Sequence, residues 1–473
     1  MCDADFHLKQ ILNMKFLDKQ YTRQGLKLAF PVMVTQAGQV SVNLFDNIIV
    51  GKLLGAEALA SVSLGNALFF SIFVLALGFS FAMPPLVSEA HSQGNHTTIN
   101  SVFRHGFVLN LGIGLLLMIL LLAGLPLIKY MNQPAEVIPN TISFLSIMAF
   151  SVIPFMMFQT LRELSEGLSF TIGVTKATII ANVINIALNY IFIKGLFGLP
   201  PMGVQGSALA TLLARIFMVV FLYYILIREP KTRRYIKDFS LKITEFSKAM
   251  FSTMFKLGLP TALQMFFEVT AFSAAAFICG LVSSQDIASH QIALSMASFT
   301  FNLCVGFSVA STVMIGNKMG VGDFVGLRKI GINNFKLALI FMSFCGIIFI
   351  IFRNVLPHFF TKESDVAVIQ LASKLLIIAA FFQLSDGIQV TALGCLRGIQ
   401  DVKIPSMITF LAYWVFTIPV GYFLCVTMAM GAFGMWIALG IGLTISAILL
   451  VNRFLKLSKR KVMLINNEEL IVN

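Results

Sequence analysis

The chain has 473 residues, of which 58% are apolar and 12% charged, with a mean hydropathy of +0.88 and a net charge of +13. Soluble domains run at about 45–50% apolar and about 25% charged, and no stretch here supplies the polar half of a soluble surface, so the chain reads as an integral membrane protein. Its basic residues sit in short clusters between apolar runs, which excludes a nucleic-acid-binding face and fits the Lys/Arg-rich inner loops of a membrane protein.

A bilayer core needs about 20 apolar residues per helix, and twelve such runs follow one another. They are expected at 28–50, 59–83, 106–128, 141–161, 177–197, 206–227, 257–282, 288–313, 334–352, 371–395, 405–428 and 431–454. They are too continuous for the alternating strands of a membrane barrel. The one sizeable break in hydropathy, 228–256, is basic, partly amphipathic and expected along the inner membrane surface. The organisation is thus a cytoplasmic segment 1–27, an N-lobe 28–227, the linker 228–256, a C-lobe 257–454 and a cytoplasmic tail 455–473. With the N-terminus inside, 27 of the 34 Lys and Arg residues are cytoplasmic and six are outside, Arg215 remaining within a span. No removable signal peptide is evident before Lys27. The six cysteines are scattered, five of them inside apolar runs, and read as small buried hydrophobes rather than a disulfide or zinc framework.

Three acids lie deep in spans: Asp46 in the first, Glu268 in the seventh and Asp386 in the tenth. A carboxylate at helix centre costs about 3 kcal/mol on insertion scales and marks an ion or proton pathway by default. Arg215 alone cannot neutralise three acids on separate helices. Helical spacing extends each acid into a stripe. Gln36, Gln39, Asn43 and Asp46 share a face of the first span, and Thr178, Asn182, Asn185 and Asn189 a face of the fifth. Thr261, Gln264 and Glu268 do so in the seventh, and Gln383, Asp386 and Gln389 in the tenth. Such faces meet water or one another rather than lipid, which makes Gln36, Gln39, Asn43, Asn182, Gln264, Gln383 and Gln389 cavity-lining candidates. His290, His91 and His96 are expected at span ends, and Glu163 and Glu166 in a local ion pair with Arg162. Pro31 and Pro260 each remove a backbone donor and are hinge candidates.

The two halves repeat. KLAFP (27–31) and KLGLP (256–260) stand 229 residues apart, while LGFSFA (77–82) with VGFSVA (305–310), and GVQGSALA (203–210) with GAFGMWIALG (431–440), stand 228 apart. Six spans per half give parallel repeats related by an axis along the membrane normal, a plan of secondary transporters. The acids are not copied: Glu268 falls opposite Gln39, Asp46 opposite Ala275 and Asp386 opposite Gln159.

The repeat, the KLxxP opening of spans one and seven and the run QLSDGIQVTALGCLRGIQDVKIP (383–405) resemble the multidrug and toxic compound extrusion (MATE) family, NorM-like branch, over residues 20–457. The resemblance implies an all-α membrane fold of twelve transmembrane helices in two six-helix lobes. It matches Asp46, Asn185 and Asn189 to an N-lobe cation cluster, with Thr211 or Ser207 as a further ligand, and Glu268 and Asp386 to a C-lobe pair. One branch of the family carries an acid where Asn189 stands, which puts proton chemistry of that type in doubt here. The expected function is export of amphipathic, often cationic organic compounds by alternating access, coupled to Na+ rather than H+, with Na+ at the acidic sites and no other cofactor. A lipid-linked oligosaccharide flippase of the same superfamily is the alternative. A membrane enzyme is a remote one, since GxSxG, HExxH, Walker and GxGxxG motifs are absent. The expected setting is a bacterial inner membrane, with both termini cytoplasmic, lipids around a monomer and no nucleic acid.

Overall fold

The computed structural model describes residues 17–131, 134–361 and 365–472, and these are all-helical apart from turns and short connections. Cys2 and Lys362 lie outside the described residues. Eleven helices there are apolar and long enough to cross a membrane. The twelfth crossing is the first helix, Lys19–Leu54, which is 36 residues long but diluted by its own polar stripe. Asp18 caps it, accepting from the backbone N–H groups of Gln20 and Tyr21. Large apolar side chains such as Phe277, Phe344 and Phe381 point outward, as a lipid-facing surface requires.

Several spans depart from the expected bounds. The second runs as Ala56–Ser80 and, after a short turn, Met83–Ser92. The fourth is broken at Ser151 into Val137–Phe150 and Val152–Gly167. Pro154 cannot return an N–H to the preceding turn, and Ser151 Oγ donates to the Met148 carbonyl at 2.6 Å. The seventh begins at Lys248, inside the expected linker. The eleventh starts as Lys403–Phe410 and then opens into π-helical stretches at Leu411–Thr417 and Phe423–Thr427. The linker's own helix, Pro230–Lys237, does not lay its apolar face on lipid. Tyr235 and Ile236 are buried in the N-lobe core, and Tyr235 Oη lies 2.7 Å from His96 Nδ1. Lys231, Arg233 and Arg234 keep the opposite face exposed.

The two lobes share their turns. Gly94 and Gly322, 228 residues apart, both adopt positive φ (68° and 72°), as do Gly203 and Gly431 (54° and 59°). Asn95 and Asp323, also 228 apart, each cap the helix that follows. The Asp323 carboxyl is held below the usual carboxylate range: burial alone would raise it, but Lys318 Nζ at 2.5 Å and the Gly326 N–H outweigh that.

Lobe-to-lobe packing follows the same symmetry and explains the repeated GFS motif. A Cβ on Gly78 would lie 2.2 Å from the Ala262 backbone in the seventh span. One on Gly306 would lie 2.7 Å from the Ala29 carbonyl and 2.6 Å from Met33 Cγ in the first. Met33 and Ala262 are themselves 229 apart, so each lobe offers its second helix to the other's first. Glu89 and Gln400 are hydrogen-bonded across the lobes near the end at which the first helix begins. The lobes are closed together at that end: a Cβ on Gly320 would lie 2.3 Å from the Glu89 carbonyl and one on Gly316 3.3 Å from the Pro85 carbonyl.

Candidate functional site

The N-lobe stripes of the first and fifth spans face one cavity of about 370 Å³. Gln39, Asn43, Asp46, Thr178, Asn182, Asn185 and Thr211 line it. Asp46 is 8% exposed, and Asn189, two turns along the fifth span from Asn182, donates to it at 2.6 Å. Asn189 also reaches Asn185 Oδ1 (3.4 Å), and Asn185 donates to Thr211 Oγ at 3.3 Å. Ser207 lines the same cavity, but its carbonyl is what Thr211 bonds, at 3.2 Å. This chain of amides leaves acceptors over: among the described residues, Asn189 Oδ1 and Asn47 Oδ1 are buried without a partner beside Asp46, as is the Thr178 hydroxyl three turns away along the fifth span. A buried, unpartnered carbonyl oxygen is costly, and oxygens gathered around a carboxylate are what a hard cation needs. Gln36 lies toward the closed end, outside the cavity wall, with its Oε1 also unpartnered.

Sequence reasoning missed the other half of this cavity. Phe69, Phe70, Phe73, Phe144 and Phe155 form its apolar wall, and Arg215 lies among them. The Arg215 guanidinium stands 5.0–5.9 Å from the ring centres of Phe155, Phe69 and Phe73, and its Nη1 donates to Ser151 Oγ at 2.7 Å, at the break in the fourth span. Phenylalanines are so abundant in lipid-facing positions that their sequence positions alone carry no such signal.

The C-lobe gathers a different set. Glu268 accepts from Gln264 Nε2 (3.4 Å) and from Gln389 Nε2 (3.2 Å). Asp386, 4% exposed, lies one helical turn before Gln389 on the tenth span. Gln389 also bonds the Tyr413 hydroxyl (3.3 Å), which comes from the π-helical stretch of the eleventh span. In the same stretch Trp414 Nε1 donates to the Phe267 carbonyl at 3.0 Å, locking the backbone beside Glu268. The widened helical turn presents both aromatics toward the seventh span. Gln383 is fully buried with neither end of its amide partnered. Glu268 thus lies in a polar cluster with Gln264, Gln389 and Tyr413, and Asp386 is on the helix that supplies Gln389.

The remaining candidates separate from these sites. Arg162 pairs with Glu166 (2.7 Å), whereas both Glu163 oxygens are buried without a hydrogen bond. His290 lies six residues after the eighth span starts at Ser284 and is fully buried against Trp436 in the C-lobe core. Pro31 and Pro260 lie within unbroken helices. The Pro31 carbonyl accepts from Thr35 (3.0 Å) and Thr175 (2.8 Å), tying the first span to the fifth. Cys279, Cys304, Cys345, Cys395 and Cys425 are buried and free.

Comparison with known proteins agrees with this architecture. The MatE family model matches residues 31–191 and 260–423, two stretches that begin at Pro31 and Pro260. The chain is 35% identical over 442 residues to the multidrug resistance protein NorM of Photobacterium profundum, covering 92% of this chain and 95% of that protein. It is 33% identical over 447 residues to the multidrug resistance protein MdtK of Yersinia pseudotuberculosis, covering 93% and 96%. Among solved structures, an outward-facing multidrug resistance MATE transporter of the MOP superfamily superposes with a TM-score of 0.86 at 21% identity, over 93% of this chain and 96% of that one. The duplicated six-helix lobes, the family match in each and the full-length relatives lead to one assignment: the chain belongs to the MATE family of membrane transporters.

Proposed function

We propose that this protein exports amphipathic, often cationic organic compounds by alternating access, and that a cation, Na+ rather than H+, drives it. The observation that carries this reading is the N-lobe cavity, where Asp46 meets unpartnered amide oxygens beside an aromatic wall. A hard cation seeks several oxygen ligands, and Asp46, Asn185, Asn189 and Thr211 offer them together. A proton needs one acid and leaves the amides without a purpose. In the C-lobe, Glu268 and the buried Asp386 stand on two spans that Gln389 bonds together, so one bound positive charge is favourable there. The names of the NorM and MdtK relatives support the substrate class. The closed end with Glu89 and Gln400 joined supports an outward-facing state. Pro31 and Pro260 would serve as hinges when the lobes rearrange.

The protein is further read as a monomer in a bacterial inner membrane with both termini and residues 228–256 cytoplasmic. A cysteine introduced at Arg234 should resist an impermeant thiol reagent added to sealed cells; ready labelling overturns the orientation. The functional test is dye efflux from vesicles at equal pH on both sides, with an inward sodium gradient as sole driving force. Transport is expected. No transport there, with full transport under a proton gradient in sodium-free buffer, rejects the sodium assignment.

A further inference from the structure

A second cavity, of about 520 Å³, opens where the ninth span ends and the tenth begins. Asp18, which caps the first helix, donates its N–H to Asn333 early in the ninth span, so this cavity lies at the opposite end of the molecule. Arg353, His358 and Lys374 line it, together with the amides of Asn354 and Gln370. The three basic side chains come from separate elements. Arg353 follows the last turn of Phe324–Phe352, His358 is in the tight turn Leu356–Phe359, and Lys374 is on Val366–Gly398. Ser373 Oγ donates to the Arg353 carbonyl at 2.9 Å and fixes the ends of the two spans against each other. No carboxylate lies on the cavity wall, and among the described residues none of the three basic groups has an ion-pair partner. Asp365, at the start of the tenth helix, accepts from Thr361 at 2.7 Å instead.

The concentration of charge here needs a cause. Of the six Lys and Arg residues read as outer, Arg353, Lys374 and Lys362 of the intervening loop make three. Lys374 even falls within the apolar run at 371–395, where an ammonium needs a polar layer within reach of its stem. The N-lobe has the same Leu-Pro turn, Leu125–Tyr130, 231 residues earlier, but Leu122 and Leu127 stand at the registers of Arg353 and His358. The shared scaffold therefore does not require these charges. Around them the chain is apolar: Phe359 is 79% exposed, and Ile351, Phe352 and Phe360 are exposed as well. We propose that this cavity binds the phosphate of an anionic phospholipid, held by the Arg353 fork and the Lys374 ammonium, with the acyl chains along the exposed phenylalanines. A guanidinium meets phosphate oxygens in two parallel bonds, and basic pockets between spans suit lipid headgroups. The bound lipid ties the ninth span to the tenth, the helix that carries Asp386. Its occupancy does not depend on what the transporter exports.

A fluorophore beside the cavity tests this. Bimane is attached to Phe360→Cys in the full-length protein, carried in phosphatidylcholine nanodiscs; Cys279, Cys304, Cys345, Cys395 and Cys425 are buried and do not compete for the label. Brominated phosphatidylglycerol is expected to quench it at about a tenfold lower mole fraction than brominated phosphatidylcholine, the worth of one charge-assisted hydrogen bond. Arg353→Gln combined with Lys374→Gln should reduce that preference below about twofold. Arg353→Lys should keep most of it, which guards against a variant that merely misfolds. Lys194→Gln, which removes a charge at the same end of the fifth span, should leave it unchanged. Equal quenching by the two lipids in the labelled parent overturns the inference, as does a preference that survives the double substitution or falls equally in Lys194→Gln. Millimolar inorganic phosphate is added in a further arm and should leave the preference intact; its erasure would assign the cavity to a free anion and overturn the lipid.

Discussion

The N-lobe and C-lobe share turns at Gly94 and Gly322, caps at Asn95 and Asp323, and glycine contacts at Gly78 and Gly306, yet their polar interiors have little in common. In the N-lobe a single carboxylate, Asp46, is surrounded by asparagine and threonine and faces Arg215 across an aromatic cavity. In the C-lobe two carboxylates, Glu268 and Asp386, stand on two spans that Gln389 bonds together, and Glu268 lies among glutamines and Tyr413. Duplication supplied the scaffold, and the scaffold constrains only backbone approach and helix ends. Where helices face a cavity, packing imposes no identity, and each lobe is free to hold its own charge chemistry. The lesson is that symmetry of fold in this protein says nothing about symmetry of binding.

The largest effects should come from the site that departs most from its repeat partner. Glu268→Gln and Asp386→Asn are each expected to lower gradient-driven efflux about a hundredfold while protein still inserts, since either removes a buried charge worth about 3 kcal/mol to a bound cation. If both variants export at the wild-type rate, the C-lobe carries no coupling site and the comparison of two sites collapses.

The shared contacts should respond as a pair. Gly78→Ala and Gly306→Ala force a methyl group into the facing lobe, and overpacking of this kind costs about 1–3 kcal/mol. Gly78→Ala should be the worse, because its methyl would lie 2.2 Å from the Ala262 backbone, whereas the nearest backbone atom to one on Gly306 is the Ala29 carbonyl at 2.7 Å. Thermal unfolding in detergent reads both; unchanged transitions in either would show that the lobes do not close through these glycines.

The smallest effects belong to the helix caps. Asn95→Ala and Asp323→Ala should each cost about 1 kcal/mol. The Asp323 carboxyl is held low by Lys318 and the Gly326 N–H despite partial burial. Its contribution is therefore complete above the usual carboxylate range and fades as pH falls through it, whereas the Asn95 contribution stays flat. Stability against pH for the two variants checks the contrast, and parallel curves would contradict it.

Much of this was legible before any coordinates. Hydropathy gave the number of spans, because lipid allows only continuous apolar helices, and the polar stripes gave Asp46, Asn185, Glu268 and Asp386 because helical period places them on one face. The π-helical turns of the eleventh span were not legible: Leu411–Thr417 has the composition of an ordinary span, and the widened turn goes with what Tyr413 meets on the tenth span and Trp414 on the seventh. The break at Ser151 and the cage around Arg215 were likewise hidden, since they depend on residues from three spans meeting at one point. The burial of His290 against Trp436 was not legible either, because sequence marks where hydropathy changes and not which distant side chain covers a residue near a helix end.

The central claim is that the N-lobe cluster, with one carboxylate and several amide oxygens, is the seat of a sodium ion. Sodium titration of the purified protein at fixed pH tests it directly, comparing wild type with Asp46→Asn and Asn189→Ala. The account predicts saturable binding in wild type, weakened at least about tenfold by Asp46→Asn and to a lesser degree by Asn189→Ala, whose side chain bridges Asp46 and Asn185. Sodium affinity that is the same in all three proteins would contradict it.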